Sequence, residues 1–89
     1  MDTTPTKPEG SNVTVFVERA LFNSAFTFIR GLPKDTDFQN LLTRLQKEFG
    51  CAGYIDDHPT YGRVIRLKLA APKQVVKYLT TLGIHATEQ

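Results

Sequence analysis

Phe49-Gly50-Cys51-Ala52-Gly53-Tyr54-Ile55-Asp56-Asp57-His58-Pro59-Thr60-Tyr61-Gly62-Arg63-Val64-Ile65-Arg66-Leu67 is the stretch on which the reading of this chain turns. It begins where a helical pattern ends, passes a small-residue break, and continues into two runs separated by His-Pro-x-Tyr-Gly. Gly53 to Asp56 reads as a short strand. In a longer one, Ile65, Leu67 and Leu69 alternate with Val64, Arg66 and Lys68. Asp57 to Gly62 joins them as a turn, with Pro and Gly as its punctuation.

Upstream, Phe38, Leu41, Leu42, Leu45 and Phe49 recur at helical spacing. Thr36 and Gln39 have the spacing of a capping box, and Gly50 supplies a left-handed stop. Before the helix, Val13, Val15 and Val17 alternate with Thr14, Phe16 and Glu18, and a second strand-like run covers Ala25 to Arg30. Arg19 to Ser24 is the right length for a hairpin loop, with Asn23 suited to the turn. Gly31-Leu32-Pro33 then breaks the ladder, because proline has no amide proton. Downstream, Pro72 is placed to open a second helix with Val75, Val76, Leu79 and Leu82 as its buried stripe and Gly83 as its stop. The order β-β-α-β-β-α predicts an α+β fold, a mixed sheet with two helices packed on one face.

The first twelve residues are rich in Pro, Thr, Gly and Ser and cannot bury enough apolar surface to offset chain entropy. They read as a flexible tail (1–12) before a single domain (13–89). With 89 residues, 40% hydrophobic content and no apolar run of spanning length, the chain reads as soluble, with no membrane partner. A single cysteine, Cys51, excludes an internal disulfide and fits a reducing compartment. The first residues lack both a signal-type apolar core and an arginine-rich transit pattern, so the expected location is cytoplasmic, with mitochondrial as the alternative.

Catalytic chemistry has little to work with. His58 beside Asp56 and Asp57 has the composition of an acid/base cluster, but adjacent strand residues point to opposite faces. Cys51, His58 and His85 are scattered and lack the paired spacing of a zinc site, and no glycine-rich phosphate loop is present. The expectation is a non-enzyme with no cofactor, no metal and no catalytic residues.

Charge points to a partner. From Val13 onward ten lysines and arginines face seven acids, a net of +3. Arg66 and Lys68 share a strand face, Arg63 precedes them in the turn, and Lys73 and Lys77 lie one helical turn apart. Such clusters suit phosphates. A solvated face that keeps a small domain soluble has the same composition.

The quoted stretch resembles the core of the eukaryotic translation initiation factor 1 family. In that family a helix ends in Phe and is followed by a small-Cys-x-Gly turn, a strand, a His-Pro-x-Tyr-Gly turn and a second strand. The matching positions are Phe49, Cys51, Gly53, His58, Pro59, Tyr61, Gly62, Val64 and Ile65, with Gly31, Leu82 and Gly83 outside the stretch. The resemblance runs from Val13 to Ile84 without an insertion. It implies a small initiation-factor fold that binds the small ribosomal subunit near the initiator transfer RNA, influences start-codon selection, and needs no cofactor. RNA or ribosome contacts are then expected from Arg19, Lys34, Arg44, Lys47, Arg63, Arg66 and Lys68.

Three departures accompany it. Family members carry a basic tip on the first hairpin, whereas here it reads Ala20-Leu21-Phe22-Asn23-Ser24, without a positive charge. The first helix offers only Arg44 and Lys47 as cations, where the family is lysine-rich. The last strand expected of the family has no counterpart in the sequence reading. Leu21, Phe22 and Asn23 are expected to contact a partner, since apolar side chains at a solvated tip suit docking better than water. The partners implied are the small subunit or whole ribosome, its RNA and proteins, and other initiation factors. Two alternatives stay open: a structural ribosomal protein of the same fold, cytosolic or organellar, and a protein-interaction module outside translation.

Overall fold

A computed structural model describes residues 13–89; the expected flexible tail, 1–12, lies outside the described residues. Strand β1 (Val13–Arg19) and strand β2 (Ala25–Arg30) form an antiparallel hairpin with Phe16 opposite Phe28. Helix α1 (Phe38–Phe49), strands β3 (Gly53–His58) and β4 (Gly62–Leu67), helix α2 (Pro72–Thr81) and strand β5 (Ala86–Glu88) follow. The sheet order is β3-β4-β2-β1-β5, antiparallel throughout except for the parallel pair β1–β5. The α+β class, the mixed sheet and the first six elements are as the sequence pattern predicts.

The seventh element corrects the expectation that the last strand is missing. Residues 86–88 show no apolar alternation of their own. They become a strand because β1 offers a free edge, with Val13 beside Ala86 and the Gln89 amide donating to the Val15 carbonyl at 2.8 Å.

Both helices cover one sheet face, α1 over β3 and β4 and α2 over β1 and β5. Val13, Val15, Ile29, Ile65 and Leu67 are buried there with Phe38, Leu41, Leu42 and Leu45 of α1 and Val75 and Leu79 of α2. Among the described residues no helix covers the opposite face; it holds a smaller cluster of Phe16, Phe28 and Val64 with Phe26 against it. No described helix is long and apolar enough to cross a membrane.

Local punctuation differs from expectation in three places. The α1 cap is Asp37, not Thr36: its Oδ1 accepts the Asn40 amide at 3.1 Å, while the Thr36 carbonyl accepts the Phe38 amide at 2.9 Å. Asp37 and Asn40 have the same spacing as Thr36 and Gln39, and a carboxylate is the better acceptor at a helix N-terminus. Strand β3 extends to His58 and β4 starts at Gly62, so the turn has only three residues, with Gly62 at φ 77°. At the other end β4 stops at Leu67, because the Leu69 amide closes back on the Leu67 carbonyl at 2.9 Å.

Thr27 secures the link from β4 to α2. It is fully buried on the helix-covered face, donates to the Leu69 carbonyl at 2.6 Å, and accepts the Ala71 amide at 3.3 Å. Thr27→Val keeps the volume but strands both backbone groups, so a loss of about 1–3 kcal/mol is expected in chemical denaturation. A valine variant as stable as the parent would show that this linkage contributes nothing.

Candidate functional site

The helix-free face carries a connected cluster of aromatic rings and guanidinium groups. Strand alternation brings Phe16, Phe28, Arg66 and Tyr54 into one row across four strands. The Phe16 and Phe28 rings stack at 5.3 Å, and the Arg66 guanidinium lies 4.8 Å from the Phe26 ring centre and 4.6 Å from that of Tyr54. Arg66 Nε sits 2.9 Å from Asp56 Oδ2, yet is not aligned for a hydrogen bond to it. Its charge is partly committed within the fold.

The β3–β4 turn folds its side chains onto this face. Tyr61 meets Phe16 edge-on at 5.5 Å and lies under the Arg30 guanidinium at 4.4 Å, and His58 meets Phe28 at 6.0 Å and Tyr61 at 4.8 Å. His58 Nδ1 accepts the Thr60 amide at 3.0 Å across Pro59, which has no amide proton to compete. The ring proton therefore belongs on Nε2, which lies 3.8 Å from Glu18 Oε2. The motif thus has a concrete structural function: His58 closes the turn, Pro59 fixes it, Tyr61 covers the aromatic cluster and Gly62 supplies the positive φ.

Asp56 and Asp57 point to opposite faces. Asp56 pairs with Arg66, while Asp57 lies 3.7 Å from Arg63 on the helix-covered side. His58, Asp56 and Asp57 do not converge on a common point. Cys51 is half-buried at the end of α1, where burial raises its thiol above the usual range against a smaller opposing hydrogen bond from the Lys68 backbone. A thiol shifted in that direction is a poorer nucleophile at neutral pH.

The seven cations expected to contact RNA fall in four places. Arg19 is exposed at the end of β1, beside the hairpin tip. Lys34 and Arg63 line one groove of about 470 Å³ with Leu32, Phe38, Asp57 and Tyr61. Arg63 is not a turn residue; it belongs to β4 and shares the face of Ile65 and Leu67, away from Arg66, because alternation separates odd from even positions. Arg44 and Lys47 are exposed on the outer side of α1, where Arg44 Nε donates to Asn40 Oδ1 at 3.0 Å. Arg66 occupies the helix-free face, and Lys68 is exposed just beyond β4.

At the hairpin tip Leu21 is 78% and Phe22 95% exposed, so neither folds back onto the sheet. The left-handed residue there is Phe22, with φ 61° and ψ 36°, rather than Asn23, whose side chain lies outside the described residues. Arg30, Tyr54 and Tyr61 escaped the sequence reading as surface residues. Alternation in β2 and β3 places Arg30 and Tyr54 on the helix-free face, but only the folded turn reveals that Tyr61 meets Arg30 there.

A family profile described as Translation initiation factor SUI1 matches residues 9–85. The eukaryotic translation initiation factor eIF1 of Drosophila melanogaster is 26% identical over 77 residues, covering 86% of this chain and 70% of the fly protein. Eukaryotic translation initiation factor 1 of Homo sapiens is 32% identical over 63 residues, covering 71% of this chain and 56% of the human protein. A protein translation factor SUI1 homolog of Salix bakko is 35% identical over 72 residues, covering 81% of this chain and 64% of the plant protein. The matched segment thus spans from a little over half to seven tenths of these relatives. With the family profile running through both helices and the first four strands, this chain belongs to the SUI1 family of translation initiation factors.

Proposed function

We propose that this chain binds the small ribosomal subunit reversibly in the cytosol, alongside other initiation factors, and influences start-codon selection without a cofactor. The observation that carries the reading is the family match over residues 9–85. The exposed cations Arg44 and Lys47 on α1, and Lys34 and Arg63 at their groove, are the groups best placed to meet phosphate. Arg66 contributes less, since Asp56 and two aromatic rings already occupy its guanidinium.

The test is co-sedimentation of the protein with purified small subunits over a range of salt. Binding at low salt that weakens as salt rises is the expected result, and Arg44→Glu combined with Lys47→Glu is expected to weaken it further. Each lost phosphate contact flattens the log–log salt slope by roughly 0.7–0.9. An unchanged slope would remove α1 from the interface. Failure of the unaltered protein to sediment with small subunits would overturn the reading, and salt-resistant, stoichiometric retention in whole ribosomes would make it a permanent component instead.

A further inference from the structure

The tip of the β1–β2 hairpin, residues 20–25, carries no charged side chain. Its backbone is closed at both ends: the Ala20 amide donates to the Ser24 carbonyl at 2.8 Å, and the Ser24 amide to the Leu21 carbonyl at 3.2 Å. Inside this closed loop Phe22 adopts the left-handed conformation, which a bulky residue disfavours. Its ring is 95% exposed and Leu21 beside it is 78% exposed, so neither side chain stabilises the fold by burial. Two large apolar groups are held in water by a backbone that disfavours one of them. Strain and exposed apolar surface that do nothing for the isolated domain are accounted for by a contact made outside it.

We propose that Leu21 and Phe22 form an apolar anchor for a protein of the small ribosomal subunit, with the Phe22 ring entering a pocket on that protein. The inference rests on the proposed binding to that subunit and adds the class of partner met by the tip. Protein is favoured over RNA by charge. Residues 20–25 carry none, and Glu18 and Arg19 beside them cancel. An RNA surface presents a phosphate with every nucleotide, and this tip has no cation to pair with one. A buried aromatic anchor flanked by near-neutral contacts is the usual source of affinity in protein interfaces.

The test uses the full chain with the photo-crosslinker p-benzoylphenylalanine in place of Phe22, mixed with purified small subunits and irradiated. The expected product survives nuclease, is lost to protease, and is suppressed by excess unmodified chain. A product lost to nuclease would assign the tip to RNA and overturn the proposal. A second variant, Phe22→Gly, relieves the left-handed backbone. Its melting temperature is expected to hold or rise, while its affinity for small subunits falls about tenfold or more, as for loss of an aromatic anchor. Equal affinity of Phe22→Gly and the parent would overturn the anchor alone, leaving subunit binding intact. A marked fall in its melting temperature would place the ring in the core and overturn the anchor too. If the parent itself does not sediment with small subunits, both readings fall together.

Discussion

Leu45→Ala is expected to destabilise the protein by about 2–5 kcal/mol, the usual range for truncating a fully buried leucine. Leu45 is at the middle of the α1 apolar stripe and belongs to the cluster that joins both helices to the sheet. Stability of roughly 0.05–0.15 kcal/mol per residue gives a chain of this length only about 4–13 kcal/mol in total. The substitution therefore removes a large fraction of what holds the fold, equivalent to a fall of about 8–40 °C in Tm at about 4–8 °C per kcal/mol. Thermal melting followed by circular dichroism checks this, with Leu21→Ala as the comparison. That side chain is largely exposed, so its removal is expected to change stability by less than about 0.5 kcal/mol. If the two variants melted together, the helix layer would not be packed as described.

Gly53→Val sets two physical effects against each other. Valine is among the better strand residues and glycine among the worst, so propensity alone predicts a gain. Space predicts the reverse: a Cβ on Gly53 would lie 2.7 Å from Leu42 Cδ1 and 2.9 Å from Leu67 Cδ2, with the Arg66 carbonyl at 3.4 Å. Both leucine ends have room to swing only by disturbing a core in which Leu42 and Leu67 are buried. Overpacking of this kind costs about 1–3 kcal/mol, more than the strand preference returns, so a lower urea midpoint with an unchanged slope is expected. A higher midpoint would mean that α1 rides further from β3 than the structure has it. Gly53→Ala, with the same Cβ and nothing beyond it, is expected to fall between parent and valine variant.

What could be read from the sequence was whatever depends on residues close together in the chain. The stripe from Phe38 to Phe49 carried α1 to its Gly50 stop because one helix face meets the core every turn. The alternation of Val13 and Val15 against Phe16 reported β1 correctly, although both faces turn out to be partly covered. Thr36 against Asp37 was undecidable by spacing, since both have a polar residue three positions on. Asn23 was suited to the turn by type, but in the loop closed by its own hydrogen bonds the left-handed residue is Phe22. β5 was invisible because its pairing is supplied wholly by β1. Among the surface residues, Arg66 was legible as a strand residue but not as a guanidinium enclosed by Phe26, Tyr54 and Asp56. The pairing of Lys34 with Arg63 in one groove arises only when the α1 entry meets the β3–β4 hairpin, two segments that no local pattern connects.

The parallel pairing of β1 with β5 also sets a timetable. Val13 waits for Ala86, and Val15 accepts its outer hydrogen bond from Gln89, so the first described strand is completed by the last described residues. A pairing across so much intervening chain has a high closure cost, and contacts of this separation slow folding. During synthesis the β1–β2 hairpin would emerge with one apolar edge unfilled until residues 86–89 clear the ribosome. The nascent domain is thus most exposed to mispairing just before its own translation reaches that point, and a stall there would leave Val13 and Val15 without their neighbour.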